Sequence, residues 1–208
     1  ITIDNIYFDR RNVFDSTQND WFFGAPIVNF LHIKTKPFII EDELLFSEGS
    51  ELDMDLIYET ERNLRETGLF TNVDIEFDSA GPYSYDVYVV TQDKWSTQFN
   101  ILFGTGGDEE NYGAKIEEKN FLGTGSNIRL EALHRSENDI RWQGESAVSL
   151  RRMFRSDFAL EFALFANRFR TEQAIGFRMP YWNWSSTDAF GIQGKNLFGK
   201  DFIYRSDS

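Results

Sequence analysis

The chain has 208 residues, with 34 acidic side chains against 21 basic ones, a formal charge of -13 and no cysteine. That length suffices for one or two domains with a sizeable core. The acidity argues against sequence-independent nucleic-acid binding, which needs clustered Lys and Arg, and the lack of Cys excludes a disulfide framework and thiolate metal sites.

Alternation over Ile1 to Phe14 predicts a first strand that runs into Asp9-Arg10-Arg11. Asp15 to Asp20 reads as a polar loop. Trp21-Phe22-Phe23-Gly24-Ala25-Pro26 reads as a packed loop, because Gly and Pro interrupt an otherwise apolar run. Pro37 opens a short helix carrying Phe38, Ile39, Ile40, Leu44 and Leu45, which Phe46-Ser47-Glu48-Gly49-Ser50 ends. A second helix is predicted from Asp53, a candidate N-cap, to Thr67, with Gly68 in the C-terminal left-handed position. Ile57, Tyr58 and Leu64 form its packing face, and Glu59, Glu61, Arg62, Arg65 and Glu66 its charged face. Strands Val73–Phe77 and Tyr85–Val90 follow, joined by Ser79-Ala80-Gly81-Pro82. This order predicts a three-stranded α+β layer with helices on one face, ending near Gln92 to Ser96.

From Phe99 to Met179 the chain alternates in twos, the period of strands. Phe99, Ile101 and Phe103 oppose Gln98 and Asn100; Tyr112, Ala114 and Ile116 oppose Lys115, Glu117 and Lys119; Ile128, Leu130 and Ala132 oppose Arg129 and Glu131. The same holds for Ile140 to Leu150, for Phe158 to Leu164 and for Ile175 to Met179. Two environments reward such a pattern: a soluble sheet with one face on a core, or a membrane barrel with lipid outside and a wet lumen. Segments of roughly ten residues suit a tilted strand crossing a bilayer better than the usual globular strand of about five or six. The 21 Phe fit either environment. No apolar run approaches the roughly twenty residues of a transmembrane helix, and Ile1-Thr2-Ile3-Asp4 does not read as a signal peptide.

Residues 37 to 90 resemble the polypeptide-transport-associated (POTRA) domain, a strand-helix-helix-strand-strand unit. Phe46-Ser47-Glu48-Gly49-Ser50 is similar to its inter-helix turn, and Arg62, Leu64, Gly68, Leu69, Phe70 and Val73 to its following run. Downstream, Glu118-Lys119-Asn120-Phe121-Leu122-Gly123-Thr124-Gly125 resembles a hairpin found early in barrels of the outer-membrane assembly and secretion superfamily, and Asp93-Lys94-Trp95 resembles the step into them. The resemblance implies a POTRA domain over 1–94 and, over 95–208, the first strands of an antiparallel transmembrane β-barrel. Sixteen strands are expected in such barrels, and about six or seven are legible here. The implied role is insertion or export of polypeptides at the outer membrane of a Gram-negative bacterium, with the POTRA domain in the periplasm. Implied partners are extended polypeptide clients, outer-membrane lipid or lipopolysaccharide, and accessory assembly lipoproteins. The alternative is a soluble sandwich or small barrel acting as a binding module.

In the POTRA reading, the client surface is a sheet edge that accepts an extended chain by β-augmentation, offered by Val73, Asp74, Ile75, Glu76 and Phe77 or by the first strand. In the hairpin, Gly123 and Gly125 supply positive φ, and Asn120 is placed to cap the turn. Lys195-Asn196-Leu197-Phe198-Gly199-Lys200 is a near echo of it, read as a second turn. An enzyme has little support. His32 and His134 stand far apart with no metal-binding spacing, and Gly104-Thr105-Gly106-Gly107, followed by Asp108-Glu109-Glu110, reads as a hairpin loop rather than a phosphate cradle. No catalytic residue, cofactor or metal is expected. Arg151, Arg152 and Arg155 are expected near a strand end; under the membrane reading they meet lipopolysaccharide phosphates or lumenal acids and Tyr181, Trp182 and Trp184 form an interfacial girdle, the alternative for each being a packing residue or a solvated charge.

Overall fold

The computed structural model describes residues 1–14, 25–106, 109–136, 140–180 and 188–200. They divide into two compact units, Ile1–Ser96 with Lys119–Gly125, and Thr97–Glu118 with the residues from Ser126 onward. Beyond a break near residue 94, the turn at Lys119–Gly125 folds with the first unit although most of β5 before it and the strand after it belong to the second.

The first unit contains β1 (Thr2–Arg11), α1 (Ala25–Leu31), α2 (Pro37–Glu41), α3 (Met54–Glu66), β2 (Phe70–Gly81) and β3 (Ser84–Asp93). Its sheet has the order β1-β3-β2, with β1 parallel and β2 antiparallel to β3. The centre strand carries Val87 and Val89, both buried. In register with them stand Ile6 and Phe8 of β1 and Phe77 and Ile75 of β2. Ile39 and Ile40 of α2 and Ile57 and Leu64 of α3 close over this face and complete the core. α3 begins and ends for the expected reasons: the Asp53 carboxylate accepts from Asp55 N at 2.9 Å, and Gly68 takes φ +71°. Tyr58 departs from expectation, being exposed rather than part of the packing face. It sits one position past Ile57 and so about 100° around the helix.

Residues from Ala25 are helical rather than loop, because Pro26 lies in the first turn, where its missing N–H has no helical partner to lose. The helix after Pro37 ends at Glu41, so Leu44 and Leu45 lie beyond it. The polar segment 15–20 and Trp21 to Gly24 lie outside the described residues.

The second unit is one antiparallel sheet in strand order β10-β9-β8-β7-β6-β5-β4. Its strands are β4 (Thr97–Gly106), β5 (Glu109–Phe121), β6 (Ser126–Arg135), β7 (Arg141–Leu150), β8 (Ala159–Asn167), β9 (Arg170–Met179) and β10 (Phe190–Gly199). Gly104 to Gly106 therefore belong to a strand rather than a loop. The supposed second turn at Lys195 to Gly199 is also strand, each residue in register with β9 from Lys195↔Ala174 to Gly199↔Arg170. A second glycine is missing there, and an unbroken ladder outcompetes a turn. The sandwich alternative requires a facing sheet, and among the described residues the seven strands form a single one.

Candidate functional site

The sheet of the second unit has two chemically opposite faces, and its register shows which residues share each one. Side chains directly across an antiparallel ladder lie on the same face. Phe99↔Ile116 and Ile101↔Ala114 on β4 and β5, Ile128↔Val148 on β6 and β7, Val148↔Phe162 on β7 and β8, and Phe162↔Ile175 on β8 and β9 form one apolar surface. Among the described residues it is left open to solvent: Phe99, Ile101 and Phe103 are 66%, 79% and 78% exposed, and Ile175, Ile192 and Phe198 are exposed as well. At one end of this face, Tyr112, His134 and Trp142 form an aromatic cluster, with Tyr112 stacked on His134 at 4.7 Å and Trp142 edge-on to both. At the other end Phe158, Phe177 and Phe190 form a second, with centroids 4.8 to 6.3 Å apart. A strand of ten residues rises about 33 Å. Tilted by about 40°, it spans roughly 25 Å of height, the height of the apolar band of an outer-membrane barrel.

The opposite face is charged and paired within itself. Arg129 meets Glu145 at 2.8 Å, Arg178 meets Glu161 at 2.6 Å, and Glu172 receives both Lys195 at 2.5 Å and Arg170 at 3.1 Å. Asn127 donates to Glu117 at 2.8 Å, and Lys115 stands 3.6 Å from the same carboxylate. Such pairs hold the polar side chains against the ladder with each named carboxylate beside at least one cation, as a wet lumen tolerates. Arg152 is largely buried in the turn between β7 and β8 and bonds Asp157 at 2.9 Å, so its charge is met locally. Tyr181, Trp182 and Trp184 lie outside the described residues.

No protein-family model matches the chain. Among solved structures its fold is similar to the crystal structure of BamA from Haemophilus ducreyi lacking POTRA domains 1-3, with a TM-score of 0.55 and 15% sequence identity. The match covers 96% of this chain and 37% of that one, so the chain spans little more than a third of the BamA chain it resembles. At 15% identity the likeness is one of fold.

In the first unit the two outer strands differ in how their edges are used. β1 is guarded along its first half: Ile3 N donates to Ser50 O, Gly49 N to Ile3 O and Leu52 N to Ile1 O, each at 2.9 Å, and the Glu48 carboxylate accepts from Ile6 N at 3.1 Å. The Phe46-Ser47-Glu48-Gly49-Ser50 turn thus occupies the backbone that the first strand was expected to offer. β2, among the described residues, has a strand on one side only. Within Val73 to Phe77 the side chains of Val73, Ile75 and Phe77 point to the core, while Asp74 and Glu76 are exposed. Arg65 of α3 donates to Val73 O at 2.7 Å, engaging one main-chain acceptor of this segment.

The Asn120 turn is bound to the segment between α1 and α2. Asn120 Oδ1 accepts from Gly125 N at 2.8 Å and closes the turn, while its Nδ2 donates to the Thr35 hydroxyl at 2.8 Å. Lys36 N donates to Gly123 O, also at 2.8 Å. Gly123 has φ +71°, and a Cβ there would stand 2.3 Å from Lys34 O, so both conformation and space require glycine. Behind Thr35, the buried Asp93 carboxylate accepts from Thr35 N at 2.7 Å and pairs with His32 Nε2 at 2.8 Å; their side chains are 1% and 3% exposed. Sequence reading found the glycines and Asn120 but not their partners, because Thr35 lies 85 positions away. His32 gave no signal beyond being one of two histidines.

Proposed function

We propose that the chain is a polypeptide insertion or export component of a Gram-negative outer membrane. In this reading β4 to β10 cross the bilayer, and residues 1–94 form a periplasmic POTRA domain that takes extended clients onto β2. The observation that carries it is the pairing of an uncovered apolar face, bounded by two aromatic clusters, with an opposite face of internally paired charge. Leaving that much apolar surface in water would cost about 25 cal/mol for each Å². Acyl chains remove the cost. The fold likeness to BamA supports the same direction. Accessory lipoproteins are natural partners of such a component. Main-chain hydrogen bonding along β2 suits clients of many sequences, since it does not read side chains.

The test uses the absence of native cysteine. Single cysteines placed in turn from Leu160 to Phe165, labelled with an environment-sensitive dye, should alternate in quenching by brominated lipid after reconstitution. Leu160, Phe162 and Leu164 should be quenched and Glu161, Ala163 and Phe165 spared. A photo-crosslinker at Asp74 or Glu76 should capture an unfolded outer-membrane polypeptide added in trans, whereas one at Tyr58 should not. A chain that is monodisperse in plain buffer and shows no alternation overturns the proposal.

A further inference from the structure

The helix α1 is built inside out. Its inward side carries Ala25, Asn29 and, one turn on, His32. Asn29 is tied to the segment after β1, its Oδ1 accepting from Phe14 N at 3.1 Å and its Nδ2 donating to Phe14 O at 2.9 Å. Its outward side carries Ile27 and Phe30, 62% and 86% exposed. A helix on a water-soluble surface has the reverse arrangement.

The outward apolar side does not stand alone. Ile33 follows it and is also exposed; its side chain faces Gly123, beside which Phe121 and Leu122 are exposed too. Exposed lysines border these residues in sequence: Lys36 beyond Ile33, Lys94 beside the partly exposed Trp95, and Lys119 before the turn. Among the described residues none of the three is in an ion pair. Three exposed cations thus stand in sequence beside uncovered apolar side chains, with the neighbouring Asp93 buried and Glu117 and Glu118 half-buried; lysine beside exposed apolar side chains suits the headgroup region of an anionic bilayer.

We infer that Ile27, Phe30, Ile33 and Leu122, with Lys36, Lys94 and Lys119, form an interfacial anchor that seats the first unit on an anionic phospholipid surface. The inference rests on the membrane reading of β4 to β10, and covalent continuity supports it: Trp95 and Ser96 lead directly into β4, and Phe121 and Leu122 leave β5. Phe30 and Ile27 enter the boundary between headgroups and acyl chains, and the lysine ammonium groups meet lipid phosphates.

The full chain, labelled at one introduced cysteine, tests this in vesicles of phosphatidylcholine with one third phosphatidylglycerol. Three sites are compared: Phe30→Cys, Tyr58→Cys on the exposed side of α3, and Phe162→Cys on the apolar sheet face. Phe30→Cys should be quenched at least about threefold more strongly than Tyr58→Cys by lipids brominated near the headgroup. Lys36→Gln, Lys94→Gln and Lys119→Gln combined should cut that quenching by more than half, as should pure phosphatidylcholine. If Phe162→Cys is quenched by deeply brominated lipid while Phe30→Cys matches Tyr58→Cys, the anchor is refuted and the membrane reading stands. If neither is quenched, both fall. A Phe30→Cys signal that follows protein concentration and ignores lipid charge assigns the patch to a second copy of the chain and overturns the anchor.

Discussion

Replacing Gly123 by Ala tests the joint between the Asn120 turn and the α1–α2 connection most directly. The new Cβ would stand 2.3 Å from Lys34 O, a main-chain atom that cannot rotate away, at a φ of +71°. A non-glycine residue in that conformation costs about 1–2 kcal/mol. Relieving the overlap separates the two segments and breaks the Lys36 N to Gly123 O bond, worth about 1 kcal/mol. The sum is roughly 2–3 kcal/mol of local opening energy, so the Lys36 amide should exchange with deuterium on the order of 100-fold faster, at about tenfold per 1.4 kcal/mol. Gly68→Ala is the control: its φ is also +71°, yet nothing lies within 4 Å of the added methyl. It should leave the Lys36 amide unchanged. Hydrogen exchange resolved to Ile33–Lys36 and Lys119–Gly125 provides the reading. Protection at Lys36 within threefold of the parent chain in Gly123→Ala would refute the reasoning, because the overlap would then have been absorbed without opening the joint.

Three further outcomes follow from the geometry. Asp93→Ala strands two buried donors, Thr35 N and His32 Nε2, and should lower the stability of the first unit by about 2–5 kcal/mol, with Asp93→Asn losing about half as much; denaturant unfolding followed by exchange in β3 measures both. Phe162→Arg should destabilise the sheet in vesicles by about 2–4 kcal/mol, whereas Gln193→Arg on the charged face should cost less than 1 kcal/mol; equal effects in a folded-fraction titration would contradict the assignment of faces. Arg129 and Glu145 are each more than a third exposed, so a double-mutant cycle on the pair should give a coupling under about 1 kcal/mol despite the 2.8 Å contact.

How much of this was legible in the residues depended on how local the cause was. α3 was readable from Asp53 and Gly68, because a cap and a left-handed residue act within one turn of the helix they bound. The long strands were readable because period two reports a face, whatever that face meets. α1 was missed: Gly24-Ala25-Pro26 has the look of a break, and a helix that turns Asn29 inward and runs into the buried His32 does not show the usual apolar stripe. The Lys195 to Gly199 echo misled for the opposite reason, since Asn-Leu-Phe-Gly is turn chemistry only when a second glycine lets the chain reverse. The buried chain from Asn120 through Thr35 to Asp93 joins residues from three distant stretches, and no spacing within any one of them announces it.

The guarded strand β1 has a consequence for how the small sheet can grow. With Gly49 to Leu52 and the Glu48 carboxylate held against one margin, hydrogen-bonded extension over that half is directional: among the described residues only the β2 side lacks a neighbouring strand, and the opposite flank stays shut. Two such molecules could meet margin to margin and stop there, but head-to-tail stacking into a growing ribbon would require displacing that turn. Edge-to-edge growth of the small sheet into a ribbon is thereby blocked over the first half of β1.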